Sequence, residues 1–254
     1  MKIKFHKYQA AGNDFILYDN RDQSFPKTNK VYAQLCDRKF GVGADGIILI
    51  EDDEQEPFKV TYINPDGSQS LCGNGCRAAV RFAKSLDLTD INAVFSAYDG
   101  SHQAQILDKT ISLSMTDVQN GSTYEDGIFL DTGSPHYVLF VEDVHNHDII
   151  GKGRAWRYSD YFKEGANVNF VEILEGNRIY VRTYERGVEA ETLSCGTGVT
   201  AAALAASTKG LTSPITIETL GGQLKVSFEK SDNGFKHVWL EGPAEHVFSG
   251  EIEV

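Results

Sequence analysis

The chain has 254 residues and carries 24 basic against 36 acidic side chains, a formal net charge of −12 at pH 7. This balance disfavours nucleic acid as a partner, because an extended phosphate backbone is bound mainly by basic side chains. The first residues lack the apolar core of a signal peptide, and no apolar run reaches the roughly 18 residues of a membrane span. We therefore expect a cytoplasmic protein without membrane contact, long enough for about two domains.

The first predicted element is a strand over residues 1–8, where apolar and polar residues alternate as in an edge strand. The acidic segment 51–57 is interpreted as a solvated loop, because its carboxylates lack the ordered spacing of a cation site. A helix is predicted over 77–86, where charges at Arg77, Arg81 and Lys84 leave one face apolar. A second helix is predicted over 196–208, because this segment is rich in alanine. It carries no charged residue, so we expect it to be buried on all sides.

Two short motifs repeat about half a chain apart, and each leads directly into one of the predicted helices. They are Leu71-Cys72-Gly73-Asn74-Gly75 and Ser194-Cys195-Gly196-Thr197-Gly198. Gly12–Tyr18 resembles Gly133–Phe140 at a similar offset, and Lys59–Tyr62 resembles Val181–Tyr184. Such self-similarity predicts an internal duplication. The halves are predicted as residues 1–117 and 118–254, and both are expected to be mixed α/β (α+β).

The two repeated cysteines are candidate acid and base groups. A thiol at a helix start lies where unpaired N–H groups and the helix dipole favour the thiolate. Inverting a carbon that bears hydrogen requires one group to remove a proton and another to return one from the opposite face. Cys72 and Cys195 would suit this task if the halves face each other. A single such cysteine is more often a small buried hydrophobe, and it is the duplication that favours catalysis.

The remaining cysteines are interpreted differently. Cys36 is expected to be structural, and Cys76, four residues after Cys72, could suggest a metal pair. No further cluster of Cys or His lies nearby in sequence, so no metal site is predicted.

The ordered motifs resemble the diaminopimelate epimerases along nearly the whole chain. The segments that carry the resemblance are Ala11–Phe15, Gly41–Gly46, Asn64–Ser68, Cys72–Gly75, Asn167–Phe170, Tyr184–Gly187 and Cys195–Gly198. The resemblance implies two pseudo-symmetric domains, each a β-barrel-like sheet around a central helix, with the last strand, about 247–254, packing back on the first domain. It also implies a homodimer that needs no cofactor. The implied activity is the epimerisation of LL- to meso-diaminopimelate for lysine and peptidoglycan precursors.

The same resemblance assigns the site residues by position in this sequence. It implies that Cys72 and Cys195 are the catalytic pair. Substrate contacts are implied for Asn13, Asn64, Gly73, Asn74, Asn169, Glu185, Arg186, Gly196 and Thr197. His136 and Glu185 would tune the thiols. For His136 a structural role remains open, and for Glu185 and Arg186 a surface ion pair remains open.

Three residues depart from the family pattern, and two other functions stay open. Cys76 stands where the family pattern predicts alanine. Ser134 stands where many relatives have asparagine, and Gly46 stands where some have glutamine, so distal recognition of the substrate is expected to differ in detail. A proline-racemase-like or phenazine-type isomerase on the same scaffold is one alternative. A non-catalytic thiol-binding module is the other.

Overall fold

The computed structural model describes residues 2–254, and strands make up most of its regular structure. The mixed α/β class predicted from the sequence is confirmed. The helices are α1 (Asn29–Cys36), α2 (Gly73–Ser85), α3 (Ile149–Arg157) and α4 (Gly196–Ala206), the last continued by a 3-10 turn at Ser207–Lys209. The strands are β1 (Lys2–Ala10), β2 (Asn13–Asp19), β3 (Gly46–Glu51), β4 (Lys59–Ile63), β5 (Asn92–Ala97), β6 (Gly100–Ile106), β7 (Thr110–Ser114), β8 (Val118–Gln119), β9 (Ser122–Tyr124), β10 (Gly127–Asp131), β11 (Pro135–Phe140), β12 (Asn167–Leu174), β13 (Arg178–Glu185), β14 (Ala190–Thr192), β15 (Ile215–Thr219), β16 (Gly222–Ser231), β17 (Gly234–Pro243) and β18 (Glu245–Glu253).

Contacts divide the chain into two compact units. The first comprises Met1–Leu113 with Gly242–Val254, and the second comprises Ser114–Glu241. Within the first unit, β1 pairs antiparallel with β18 on one side and with β2 on the other. The expectation of an edge strand at the start of the chain is therefore wrong. Its alternating pattern reflects one buried face, and the distant C-terminal strand that covers its edge leaves no local signal.

The two units repeat the same order of strand pairings. In the first unit, β1–β2 is antiparallel, β2–β3 parallel and β3–β4 antiparallel, and β5 then pairs parallel to β4. In the second unit, β10–β11 is antiparallel, β11–β12 parallel and β12–β13 antiparallel, and β15 pairs parallel to β13. The connection from β4 to β5 contains α2, and the connection from β13 to β15 contains α4. This shared topology is what an internal duplication produces.

Each of these two helices packs against the sheet of its own unit. α2 contacts β1 to β4, β6 and β18, whereas α4 contacts β10 to β13, β15 and β16. Nearly every residue of α4 is buried, which confirms the expectation from its uncharged, alanine-rich sequence. α2 begins at Gly73, earlier than predicted, because Cys72 adopts the extended N-cap conformation directly before it.

No helix within residues 2–254 is both long enough and apolar enough to cross a membrane. The same residues hold no group of three or more His, Cys, Asp or Glu side chains placed to bind one metal ion.

Candidate functional site

Cys72 is the N-cap residue of α2, and its sulfur contacts two polar groups of the first unit. The backbone N–H of Gly75 donates to Sγ at 3.4 Å. Sγ also lies 3.6 Å from Oδ1 of Asn13, which can accept the thiol hydrogen. The N–H group and the helix dipole stabilise the thiolate, whereas the Asn13 oxygen stabilises the protonated form. Cys72 therefore has a hydrogen-bond partner in each protonation state.

The orientation of Asn13 is fixed from two sides. Its Nδ2 donates to Oδ2 of Asp45, a carboxylate that only accepts hydrogen bonds. Its Oδ1 accepts from Nδ2 of Asn74 at 3.3 Å. Asp45 is itself paired with Arg38 at 2.7 Å. This network turns the carbonyl oxygen of Asn13, rather than its NH2 group, toward Cys72.

Arg77 is a site residue that the sequence analysis missed. Nη2 of Arg77 donates to Oδ1 of Asn74 at 2.7 Å, and the arginine side chain is fully buried. Burial lowers the pKa of Arg77 to about 10, against the opposing influence of Cys72 and Cys76. The guanidinium is therefore a buried cation at neutral pH. The spacing of charges predicted Arg77 on the exposed face of α2. The one sequence feature that points to the site is its position about one helical turn after Cys72.

Asn64 and Gly46 lie in the first unit near two turns. Nδ2 of Asn64 donates to the Oγ atoms of Ser68 and Ser70, at 3.1 and 3.3 Å, so the amide is oriented by its own turn. A Cβ atom added at Gly46 would lie 2.4 to 2.7 Å from ring atoms of Tyr62. The ring of Tyr62 thus fills the space next to Gly46.

Cys195 is the N-cap residue of α4, and its sulfur lies close to one end of a buried polar cluster of the second unit. Sγ lies 3.5 Å from Oγ1 of Thr197, and that hydroxyl lies 2.9 Å from Nε2 of His136. Burial lowers the pKa of His136 to about 3, and the charge of Arg186 acts in the same direction. His136 is therefore neutral at pH 7. The ring is hydrogen-bonded on both nitrogens, and the role predicted for it in tuning the thiols stays a prediction.

Asn167 and Asn169 point to the same face of β12, and the structure gives them different surroundings. The amide of Asn169 is fully buried, and Nδ2 lies 3.1 Å from Nδ1 of His136 while Oδ1 accepts from Thr183 at 3.0 Å. Asn167 lies at the start of the strand, where Oδ1 accepts from the backbone N–H of Arg186 at 2.8 Å. Its Nδ2 donates to Oγ of Ser134 and to the carbonyl of Pro135, both at 3.0 Å.

Asn167 thus joins three segments that carry predicted site residues. The Asn-Val-Asn motif offered both residues, and a spacing of two could not distinguish them. The role predicted for Asn169 in binding stays a prediction.

Glu185 and Arg186 lie where β13 ends. The strand stops at Glu185, and Gly187 follows with a φ of +92°, a conformation that favours glycine. The backbone N–H of Glu189 closes the turn onto the carbonyl of Glu185 at 2.8 Å. Nη1 of Arg186 donates to the carbonyl of Glu164 at 3.2 Å. The turn removes the strict alternation of a strand, so neighbouring side chains here are no longer obliged to face opposite ways.

The other two cysteines are buried in the first unit. Burial raises the pKa of Cys36 to about 11 and raises that of Cys76 still further. Both thiols are therefore protonated at neutral pH, which suits structural residues rather than acid or base groups.

Comparisons with known proteins identify the family of this chain. The family model described as diaminopimelate epimerase matches residues 5–120 and 128–247. A diaminopimelate epimerase of Flavobacterium psychrophilum is 48% identical over 98% of this chain and 100% of its own. One of Aquifex aeolicus is 38% identical over 98% of each chain.

Solved structures share the fold at low sequence identity. A PhzF-family phenazine biosynthesis protein of Bacillus anthracis superposes with a TM-score of 0.78 at 15% identity, covering 100% of both chains. A hydroxyproline epimerase of Agrobacterium vitis superposes with a TM-score of 0.70 at 12% identity, covering 99% of this chain and 92% of its own. These likenesses establish the fold alone.

Proposed function

This chain belongs to the diaminopimelate epimerase family and is an isomerase, and we propose that it interconverts LL- and meso-diaminopimelate with Cys72 and Cys195 as acid and base. The observation that carries the proposal occurs in both units: a cysteine is the N-cap residue of α2 in the first unit and of α4 in the second. The proposal includes a reaction without a cofactor, a homodimer, a cytoplasmic location and a role in lysine and peptidoglycan precursor synthesis.

The proposed reaction moves one proton in each direction. One sulfur, as thiolate, takes the hydrogen from the α-carbon, and the electron pair left behind is delocalised into the adjacent carboxylate. The other sulfur, as thiol, then supplies a proton to the opposite face of that carbon. The net change is inversion, with one thiol and one thiolate before and after the turnover. The two cysteines exchange roles when the reaction runs backwards.

The two helix starts support the charge that develops on the reacting carboxylate. The first N–H groups of a helix have no acceptor within the helix, and the dipole places positive potential there. Gly73 and Asn74 begin α2, and Gly196 and Thr197 begin α4. Backbone donors aimed at a developing negative charge are among the largest contributors to enzymatic rate enhancement.

The far end of the proposed substrate is a second amino-acid zwitterion. Arg186 can hold a carboxylate through two parallel hydrogen bonds, and Glu185 can accept from an ammonium group. Asn167 is hydrogen-bonded to Ser134 and to the backbone N–H of Arg186. It therefore holds the turn that carries Glu185 and Arg186 next to the start of β11. A substrate the size of proline has no second zwitterion, so this set favours diaminopimelate over the proline-racemase-like alternative.

The test is turnover with purified, reduced protein and no added cofactor. LL-diaminopimelate and L-proline are offered separately, and the stereoisomers are resolved by chiral chromatography. The expected result is formation of meso-diaminopimelate with no D-proline, and loss of activity by about a thousandfold or more in Cys72→Ser and in Cys195→Ser. Cys36→Ser is the matched control, because it removes a buried thiol of high pKa and should retain activity. Turnover of proline alone would overturn the substrate; unimpaired Cys195→Ser would overturn the mechanism.

A further inference from the structure

Behind Cys195 lies a continuous buried chain of hydrogen bonds. It runs from Thr183 through Asn169 and His136 to Thr197, and the first three side chains are at most 3% exposed. The successive distances from Thr183 Oγ1 to Thr197 Oγ1 are 3.0, 3.1 and 2.9 Å. Sγ of Cys195 is 3.5 Å beyond the last hydroxyl. Burying a polar side chain reduces folding stability unless the side chain is hydrogen-bonded. This chain of four polar side chains beside Cys195 therefore indicates a role other than stability.

The direction of donation along this chain is determined at Asn169. The hydroxyl of Thr183 donates to Oδ1, so Nδ2 of Asn169 is the atom that faces His136. An NH2 group can only donate, and Nδ1 of the neutral imidazole must therefore accept. Nδ2 of Asn167 also lies 3.5 Å from Nε2, but its two hydrogens are donated to closer oxygens, both at 3.0 Å. The single ring proton is then on Nε2, from which it is donated to Oγ1 of Thr197 at 2.9 Å. The low pKa of His136, which burial causes, keeps the ring in this neutral form.

Once Thr197 accepts from His136, its own hydroxyl hydrogen is left to donate elsewhere. Sγ of Cys195 is in reach of that hydrogen. A hydroxyl that donates to sulfur stabilises the thiolate over the thiol. If the imidazole carried its proton on Nδ1 instead, Nε2 would attract the Thr197 hydrogen and Cys195 would lose this donor. The tautomer of a buried neutral ring thus controls the environment of the sulfur.

The repeated unit provides an internal comparison. In the parallel pair β2–β3, Phe15 lies opposite Gly46 and Leu17 opposite Ile48, whereas in β11–β12 His136 lies opposite Asn167 and Val138 opposite Asn169. The positions of His136 and Asn169 are therefore those of Phe15 and Ile48.

The helix starts follow the same correspondence. A Cβ added at Gly75 would lie 3.2 Å from Cδ1 of Ile48, and one added at Gly198 would lie 2.5 Å from Oδ1 of Asn169. Beneath one helix start the duplicated fold has apolar side chains, and beneath the other it has the polar chain. The polar chain is a specialisation of the Cys195 half and not a requirement of the fold.

We propose that Asn169 is a positioning residue that fixes the Nε2–H tautomer of His136 and thereby makes Thr197 donate its hydroxyl to Cys195. This inference rests on the proposed function in one respect, the use of Cys195 as an acid and base. Asn169 acts through two other residues and needs no contact with the substrate. Thr183 is the residue that keeps the amide of Asn169 in the required orientation.

The charged groups around this chain are few. Arg186 is the cation that acts on the imidazole and disfavours its protonation. Asp131 ends β10, where Oδ1 accepts from the N–H of Gly133, and Glu185 ends β13 beside Arg186. None of these is altered by the substitutions below, so a change in Cys195 is attributable to the hydrogen-bonded chain.

The test measures the ring and the sulfur directly, and neither readout depends on turnover. Nitrogen-15 NMR of histidine side chains identifies the tautomer of His136, and site-resolved alkylation between pH 5 and 10 gives the titration midpoint of Cys195. In the native protein we expect Nε2–H. In Asn169→Leu we expect protonation on Nδ1 to become populated, and the alkylation midpoint of Cys195 to rise by about one pH unit.

Further variants separate positioning from mere structure. Thr197→Val should raise the midpoint similarly, because it removes the hydroxyl, whereas Thr197→Ser should restore the native value. Ile48→Val is the matched control in the first unit and should leave the Cys195 midpoint unchanged. Should Asn169→Leu not fold, Thr183→Val releases the amide with a smaller change of shape and should shift the midpoint in the same direction.

The overturning results are specific. An Nδ1–H ring in the native protein would contradict the proposed direction. A melting temperature lowered in Asn169→Leu without any movement of the Cys195 midpoint would leave Asn169 a structural residue only. Because alkylation and NMR need no diaminopimelate, a protein with no epimerase activity could still pass this test, so the two proposals fail separately.

Discussion

Arg77 donates from Nη2 to Oδ1 of Asn74 at 2.7 Å from a position with no solvent exposure. Its other guanidinium nitrogens, Nε and Nη1, have no hydrogen-bond partner among residues 2–254. A buried cation with one bond is expected to reduce stability rather than increase it. Its effect is exerted on Asn74, which orients Asn13 beside the sulfur of Cys72.

Replacing Arg77 with methionine should separate activity from stability. We expect kcat/KM to fall tenfold or more, since a charge-assisted hydrogen bond contributes about 1.5–3 kcal/mol. The melting temperature should stay the same or rise, because the poorly compensated buried charge is gone. Steady-state kinetics and thermal unfolding measure the two effects. Arg77→Lys, which keeps the charge and loses the planar fork, should be intermediate in activity; a fully active but strongly destabilised methionine variant would contradict this account.

Removing the side chain of Asn167 should weaken binding more than chemistry. Asn167→Ala loses the bonds to Ser134 and to the backbone of Arg186, so we expect KM to rise about tenfold with kcat changed less. Asn146→Ala is the matched control, because that exposed amide bonds only to Asp143 in its own turn. Equal losses in kcat and kcat/KM would instead place Asn167 in the chemical step.

Gly46 and Tyr62 should be energetically coupled. Gly46→Gln forces the new side chain against the ring of Tyr62, and overpacking of this kind costs about 1–3 kcal/mol. The Gly46→Gln/Tyr62→Ala double variant lacks the ring. Its free energy of unfolding should therefore fall by less than the sum of the losses in the two single variants. Urea unfolding of the four proteins in the cycle gives the coupling. Strict additivity would show that the ring does not exclude glutamine.

His136 should make the protein less stable in weak acid. Its pKa is about 3 when folded, against an ordinary value of 6.5, so the unfolded chain binds more protons between these values. Stability is thus fully present above about pH 6.5 and is lost as pH falls toward 3. The shift corresponds to about 2 kcal/mol between pH 7.5 and pH 5. His136→Gln should lack this part of the pH dependence, whereas the exposed His237→Gln should retain it.

Some features could be predicted from the sequence because they leave a local signal. The repeat of Cys72 and Cys195 before two helices gave both the duplication and the candidate catalytic pair. The buried nature of α4 followed from its composition. The mixed α/β class followed from runs of β-forming residues around two helices, and the family model later matched over the same length.

Other features depend on contacts between distant segments and left no such signal. The place of β1 between β2 and β18 requires a partner from the other end of the chain. Arg77 is buried although charged side chains are normally exposed, and a periodic pattern of charges predicts exposure rather than burial. Asn167 and Asn169 share one strand face, and only the positions of His136 and Arg186 tell them apart. The ring of Tyr62 on β4 occupies the space that a side chain at Gly46 on the neighbouring β3 would need.

The most direct test of the two-thiol account is the fate of solvent deuterium. LL-diaminopimelate is incubated with the reduced protein in D2O, and the early time points are followed by proton NMR and mass spectrometry. The account predicts one deuterium at the inverted carbon of each meso product, with hydrogen retained in the remaining LL substrate, and loss of product in both Cys72→Ser and Cys195→Ser. Deuterium entering the recovered substrate as fast as the product, or turnover that survives either substitution, would contradict it.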